Sequence, residues 1–351
     1  MKALVYHGPG STGWEEVPEP TVENPDDAVV RIDCVTICGT DLHILKGDVP
    51  TVEPGRILGH EAVGTVEVVG GGVRNLGVGD RVLLSCISAC GRCRYCREGR
   101  YGQCLEGGGW ILGHRVDGTQ AERVRVPFAD MSTYRLPDEI SDEDAVLLAD
   151  ILPTAYEVGV LAGSVTPGDT VVVVGAGPVG LAAVATARLY SPSHIVVVDP
   201  AKSRRDAASG LGADVALDSA DDVAGRVAEL TGGLGADVAV EAVGIPATFE
   251  LCVEVVRPGG HVANVGVHGA PATLHLETAW IRDLTITTGL VDTRTTPTLL
   301  GMVAAGRLRL PELITHRFEL TQMQEAYDVF SRPSETGALK VALLGAGHRP
   351  R

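Results

Sequence analysis

Four cysteines stand close together in "ACGRCRYCREGRYGQC", at Cys90, Cys93, Cys96 and Cys104, in a chain with only eight. The C-x2-C-x2-C-x7-C spacing offers four thiolates to one tetrahedral ion. A zinc held by four sulfurs is saturated and has no place for a substrate. Arg92, Arg94, Arg97 and Arg100 are expected to offset the negative charge of such a centre. A redox disulfide pair and an iron–sulfur cluster use the same residue type. A nucleic-acid zinc knuckle suits a basic chain, which this is not.

A metal that does chemistry needs mixed ligands and an open position. The residue types for that lie elsewhere, at Cys38 in "TICGTDLHIL" and at His60 and Glu61 in "GRILGHEAVG". On spacing alone each has an ordinary alternative. Cys38 could be a small buried hydrophobe, His60 a strand cap and Glu61 a solvated carboxylate. A third motif, Gly175-Ala-Gly177-Pro178-Val179-Gly180, is a full G-x-G-x-x-G. It follows "VVVV", opens an apolar helix-like stretch, and precedes a second strand that ends at Asp199. That context marks a dinucleotide site. Gly175 allows the tight turn, Gly177 lets the backbone approach the pyrophosphate, and Gly180 lets helix and strand pack closely. The helix N-terminus offers amides to the phosphates. Asp199 stands where a carboxylate accepts the ribose hydroxyls of NAD and repels the 2′-phosphate of NADP. Arg204 and Arg205, just beyond, are the residues that would welcome that phosphate.

Two kinds of scaffold must hold these groups. Up to about residue 150 the chain reads as short strands punctuated by glycine and proline. Asp27 to Cys38 alternates like a half-buried strand, as does Ala62 to Val73, and Val78 to Leu84 follows. A partly closed antiparallel barrel fits this pattern. From Thr170 onward, valine-rich strands alternate with alanine-rich helices. "TVVVVG", "HIVVVD", Asp237–Val243, His261–Val267 and Leu284–Gly289 are the expected strands, with a helix over about 202–210. Such runs imply a parallel sheet covered on both faces, an α/β architecture. The closing strand, Ala338 to Gly345, is expected to rejoin the first domain.

The 351 residues suggest two domains. The net charge of −16 argues against a nucleic-acid surface and for a small-molecule partner. Thr170 to Ala187 has no charged residue, but its central glycines and proline read as strand, turn and helix rather than a membrane span. The short apolar N-terminus does not make a signal segment. The expectation is a cytoplasmic protein whose clustered cysteines bind metal.

In order, "CGTDLHILKGD", "GHEAVGTV", "GDRV", the four-cysteine lobe, "GAGPVG" and "RPGG" span most of the chain. Together they resemble the zinc-dependent medium-chain alcohol dehydrogenases. The pocket motifs resemble those of bacterial secondary-alcohol dehydrogenases. The resemblance implies a GroES-like catalytic domain over 1–152 and 291–351 and a Rossmann domain over 153–290, with the active site in the cleft between them. It implies two zinc ions per chain, one catalytic and one structural. Cys38 and His60 match two catalytic ligands, and Asp150 in "LLADILPTAY" the third. Asp150 could otherwise be a helix N-cap. Glu61 matches a carboxylate close to the metal, and Asp41 an acceptor for the zinc-bound imidazole. Thr40 matches the hydroxyl that bonds the reacting oxygen, and His43 the outer end of a proton relay. Pro178, Val179, Arg204, Val265, Val267, Leu290 and Lys340 are assigned to the cofactor. Ile87 and Trp110 are assigned to the substrate pocket, which Leu290 also makes apolar. Gly39 stands where many members carry Arg or His, which removes one pyrophosphate contact. The four-cysteine lobe and Asp199 depart from the secondary-alcohol branch, whose members often lack the lobe and prefer NADP.

The expected activity is reversible hydride transfer between a small primary or secondary alcohol and NAD, with NADP second. A homo-oligomer is expected, tetramer before dimer. A polyol, butanediol or threonine-type dehydrogenase is the alternative within the class. A nucleotide-sensing zinc protein without catalysis is the alternative outside it.

Overall fold

In the computed structural model, which describes residues 1–350, the chain divides into two units. One comprises Met1–Asp150 and Asp292–Arg351, the other Ile151–Val291.

The first unit is organised around the strand Ala28–Thr36. Ala62–Val69 and Lys340–Leu344 pair with it antiparallel, and Arg123–Val126 joins it as a branch. The sheet continues through Arg81–Leu84 to Thr133–Arg135 on one side and ends at Ile314–Glu319 on the other. The alternation in Asp27–Cys38 predicts a half-buried strand, but eight of the nine residues in Ala28–Thr36 are buried. The polar position Asp33 is tolerated there because Arg31 and the Thr65 hydroxyl donate to its carboxylate. Val30, Ile32, Val35, Leu58, Val82, Leu84 and Leu343 fill the core beneath the sheet. The strand ends at Thr36, short of Cys38, because the chain turns into the helix Gly39–Lys46. The expected closing strand does return to this unit, with Leu344 opposite Cys34.

The second unit holds a six-stranded, wholly parallel sheet. Its spatial order is Val215–Leu217, His194–Val198, Thr170–Val174, Ala236–Glu241, Val256–Asn264 and Thr285–Thr288. In chain order this is 3-2-1-4-5-6, the doubly wound arrangement that reverses direction beside the first strand. Thr170–Val174 is buried along its whole length, as expected of a strand covered on both faces. Val215–Leu217 has only three residues and carries no periodic signal in the sequence. The uncharged stretch at 170–187 resolves into strand, turn and the helix Pro178–Ala187. Among the described residues no helix is long and apolar enough to cross a membrane.

Candidate active site and metal centres

The last residues of two neighbouring segments bring the mixed donors together. Cys38 caps the helix Gly39–Lys46, where the amide dipoles favour a thiolate. His60 and Glu61 directly precede the strand Ala62–Val69, and Asp150 precedes the helix Ile151–Thr154. Ligand atoms of Cys38, His60, Glu61 and Asp150 all lie within 4.8 Å of one another. An Asp150 carboxylate oxygen stands 3.6 Å from Cys38 Sγ and 3.4 Å from His60 Nε2. Nε2 is therefore the His60 nitrogen that faces the cluster. Nδ1 faces Asp41 at 3.9 Å.

Asp41 is fixed in turn. Its Oδ2 accepts from the Cys38 backbone N–H at 2.9 Å and from the Gln120 amide at 3.0 Å, and Tyr327 donates to Gln120 at 2.8 Å. This buried chain orients the imidazole from behind, in the manner of metal-bound histidines. Nothing in the sequence spacing points to Gln120 or Tyr327.

The electrostatics suit a cation. Burial and then the Glu61 charge push the Cys38 thiol up. Burial works against charging His60, but Asp150 and Cys38 outweigh it and hold its pKa well above the usual value. The set therefore combines a thiol, two carboxylates and an imidazole in a dry site, with Lys340 as the adjoining cationic side chain. One oxygen of Glu61 and one of Asp41 are buried without a hydrogen-bond partner. Sulfur, nitrogen and oxygen donors of this kind fit a zinc ion with an open position.

Lys340 is not where the cofactor assignment puts it. It is 1% exposed, and its ammonium donates to Glu61 at 2.5 Å and to the Ile37 carbonyl at 3.1 Å. Thr36 donates to the same Glu61 oxygen. A lysine buried this deeply is retained because a carboxylate faces it, so it is committed to Glu61 and offers no exposed ammonium to a phosphate.

The remaining residues of this unit fall around the cluster. Thr40 Oγ1 is 3.7 Å from Cys38 Sγ. His43 is partly exposed and bonds Asp48 through Nδ1 at 2.8 Å. The Trp110 ring meets the His60 ring edge-on, with centroids 6.1 Å apart. Ile87 is buried. Beside it Cys86, unremarked in the sequence, lies 3.7 Å from the second Asp150 oxygen.

The four-cysteine lobe is a separate, second donor cluster. Its sulfurs receive backbone amides. Arg92 and Cys93 N–H point to Cys90 Sγ, Cys96 and Leu105 N–H to Cys93 Sγ, and Cys90 N–H to Cys104 Sγ. No arginine side chain is seen on the sulfurs among the described contacts. Arg94 and Arg100 extend into solvent and pair with Glu98, because a guanidinium on an exposed stem gains more from a solvated partner than from a buried sulfur. Two amides and then neighbouring thiols pull the Cys93 pKa down to about 6, while burial and Cys93 push Cys96 up to about 12. A metal bound there would displace the protons that the thiols hold. Cys96→Ser should lower the midpoint of thermal unfolding by roughly 10 °C, as a loss of about 3 kcal/mol does in a domain of this size. The folded fraction should keep its turnover. Lost turnover at unchanged thermal stability would contradict a purely structural lobe.

In the second unit, Gly175 has φ +99°, and a side chain on Gly180 would strike the Gly175 carbonyl at 1.8 Å. The loop is thus glycine-bound at both ends, and Pro178 and Val179 form the first turn of the helix. Asp199 lies at the tip of the second strand, nearly buried. Its two oxygens accept from the Ala176 and Ala201 amides at 2.8 Å each. Arg204 approaches it at 3.8 Å. Arg205 bonds the Asp199 and Pro200 carbonyls and the Asp218 carboxylate. Val265 donates its amide to Glu241, while Val267 and Leu290 are exposed.

A doubly wound nucleotide-type sheet and a β-rich unit carrying a mixed-ligand metal cluster define a zinc-binding dehydrogenase. Residues 24–138 match the alcohol dehydrogenase GroES-like domain and residues 178–305 the zinc-binding dehydrogenase domain. An alcohol dehydrogenase of Cupriavidus necator is 38% identical, over 98% of both chains. The solved apo form of zinc-dependent alcohol dehydrogenase 2 from Streptococcus pneumonia superposes with a TM-score of 0.95, at 47% identity over the whole of both chains. A zinc-binding dehydrogenase from Sinorhizobium meliloti, solved with NADP bound, gives a TM-score of 0.86 at 29% identity over 98% of each chain. The chain belongs to the zinc-dependent medium-chain alcohol dehydrogenase family, with its GroES-like and Rossmann-type folds.

Proposed function

We propose that the protein catalyses reversible oxidation of a small primary or secondary alcohol with NAD, using a zinc ion held by Cys38, His60 and Asp150. The observation that carries this reading is the convergence of those three residues beside Glu61, which Lys340 and Thr36 engage, so that three ligands leave one coordination position open. Zinc bound there supplies Lewis acidity that favours negative charge on the alcohol oxygen. NAD supplies the hydride acceptor.

The chain's own groups handle position and proton. Asp41 holds the His60 ring with Nε2 toward the cluster. The Thr40 hydroxyl, beside Cys38, accepts the alcohol proton and passes it outward. The Asp48 carboxylate can only accept, so His43 Nδ1 carries a hydrogen and Nε2 presents a lone pair. Nε2 is the atom that takes the proton at the end of the relay. Ile87 and Trp110 exclude water and favour an apolar carbon chain over a polyol.

Asp199 is the basis for NAD over NADP. Its two oxygens each accept one amide and retain a lone pair for a ribose hydroxyl, and the carboxylate repels a 2′-phosphate. Arg205 is already engaged by Asp218 and two carbonyls. The cofactor contacts further comprise the glycine loop with Pro178 and Val179, together with Arg204, Val265, Val267 and Leu290. The four-cysteine lobe holds a second, structural zinc.

The enzyme is proposed to work in the cytoplasm as a homo-oligomer, tetramer before dimer. The eight cysteines form no disulfide, which suits a reducing compartment. The edge strand Thr285–Thr288 follows a run with Leu276, Trp280 and Ile281 largely exposed, a surface that a second copy would cover. Sedimentation of the native protein measures the assembly, and a monomer would refute it.

The zinc-loaded protein should form NADH with 2-propanol and ethanol and do so more efficiently than it forms NADPH. Faster turnover of 2,3-butanediol than of either would favour the diol alternative. No turnover by zinc-replete protein would leave nucleotide binding without catalysis.

A further inference from the structure

His114 lies outside the metal cluster, but it is bound to Trp110, whose ring meets the cluster at His60. The His114 ring stacks on the Trp110 indole with centroids 4.5 Å apart and planes inclined by 31°. Both imidazole nitrogens are tethered. Nδ1 lies 3.1 Å from the Trp110 carbonyl and Nε2 2.8 Å from the Thr51 hydroxyl. A carbonyl only accepts, so Nδ1 carries the hydrogen, and Nε2 of the neutral ring accepts from Thr51. Burial pushes the His114 pKa down. The Trp110 carbonyl opposes this, and Arg115 and Arg56 assist it. The groups around the ring thus favour the neutral form, which stacks without bringing charge against the indole.

The segment is anchored to the zinc-ligand strand. His114, Arg115 and Val116 amides all turn back to the Ile111 carbonyl. The following residues, Gly118, Thr119 and Gln120, donate to the carbonyls of Ile57, Gly59 and Leu58, immediately before His60. The indole Nε1 is buried with no hydrogen-bond partner, so no polar contact of its own fixes the ring. What holds Trp110 in place is packing, against the apolar core beneath the sheet, against His60 edge-on and against His114 in the tilted stack.

We propose that His114 is a positioning residue that sets the placement of Trp110 beside His60 and thereby the size of alcohol the enzyme accepts. This rests on the reading of Trp110 as a wall of the substrate pocket. Loss of the stack frees the indole to change rotamer and widens the space next to the reacting carbon. A bulky secondary alcohol gains from that and ethanol does not. The effect belongs on KM, because His114 touches neither the metal ligands nor the proton relay.

The test uses zinc-replete protein in a Trp14→Phe, Trp280→Phe background, where Trp110 is the only indole. His114→Ala should red-shift Trp110 emission and change the ratio of KM for a branched secondary alcohol to KM for ethanol. The change should be about two- to tenfold, the range expected of one aromatic pair. His114→Phe, which keeps the stack without the tethers, should recover part of both signals. Unchanged emission together with an unchanged KM ratio in folded His114→Ala overturns the proposal. A Trp110→Ala variant separates the two readings. If it leaves the KM ratio unmoved, Trp110 is not a pocket wall, and emission alone then decides whether His114 positions it. If Trp110→Ala moves the ratio and His114→Ala does not, the positioning role is refuted while the pocket wall stands.

Discussion

Cys38→Ser should bind one zinc fewer per chain than the native protein, and its alcohol oxidation should fall by about a thousandfold or more. That magnitude follows from removing Lewis-acid stabilisation worth several kcal/mol at the transition state. Serine is close in size, so core packing around position 38 is preserved. Its hydroxyl, however, is a far poorer anionic ligand than a thiolate at the head of a helix. Circular dichroism should be native-like, because Cys38 lies beyond the end of the strand Ala28–Thr36, at the cap of the short helix Gly39–Lys46. Metal analysis after gel filtration and an NADH-coupled assay check the two parts independently. Retained activity with one zinc fewer would move the reaction away from this cluster.

The second large effect concerns Lys340. Lys340→Met keeps most of the side-chain volume but leaves the Glu61 carboxylate buried without its cation. Breaking one partner of a buried pair costs about 3–5 kcal/mol, here set against a pair that is 1% exposed on both sides. Urea unfolding of the zinc-loaded protein should show a loss of that order, and the added change Glu61→Gln should return most of it by removing the uncompensated charge. A Lys340→Met protein as stable as the native one would show that Glu61 finds other compensation, with the zinc itself the first candidate.

How much of this was legible beforehand depended on how local the cause was. The glycine loop and the valine-rich strands declare themselves in short windows, because phosphate approach and two-sided burial act on consecutive residues. The four-cysteine lobe is equally local. Cys38, His60 and Asp150 are not: 112 positions separate the first from the last, and only resemblance joined them. Asp27–Cys38 misled in a different way. Its alternation predicts one solvated face, but the helix Asp142–Val146, far along the chain, packs on the strand Ala28–Thr36, eight of whose nine residues are buried. Lys340 itself was misplaced for the same reason. A lysine near the end of a chain reads as solvated, and only the fold places Glu61 opposite it. His114 and Gln120 were invisible because their roles consist of contacts to Trp110 and Asp41, which periodicity does not encode.

The strand Lys340–Leu344 sits between Ile314–Glu319 and Ala28–Thr36, so one sheet is assembled from both ends of the polypeptide. During synthesis the uninterrupted unit Ile151–Val291 leaves the ribosome complete while the other still lacks an interior strand. Domains fold as units as they emerge, so the nucleotide-type sheet can form first. The first 150 residues meanwhile wait as an open sheet in which Cys34–Thr36 lack the partner strand Lys340–Leu344 and Glu61 its counterion. A chain stopped before residue 340 would hold the complete parallel sheet beside a first unit that lacks one interior strand and the cation opposite Glu61.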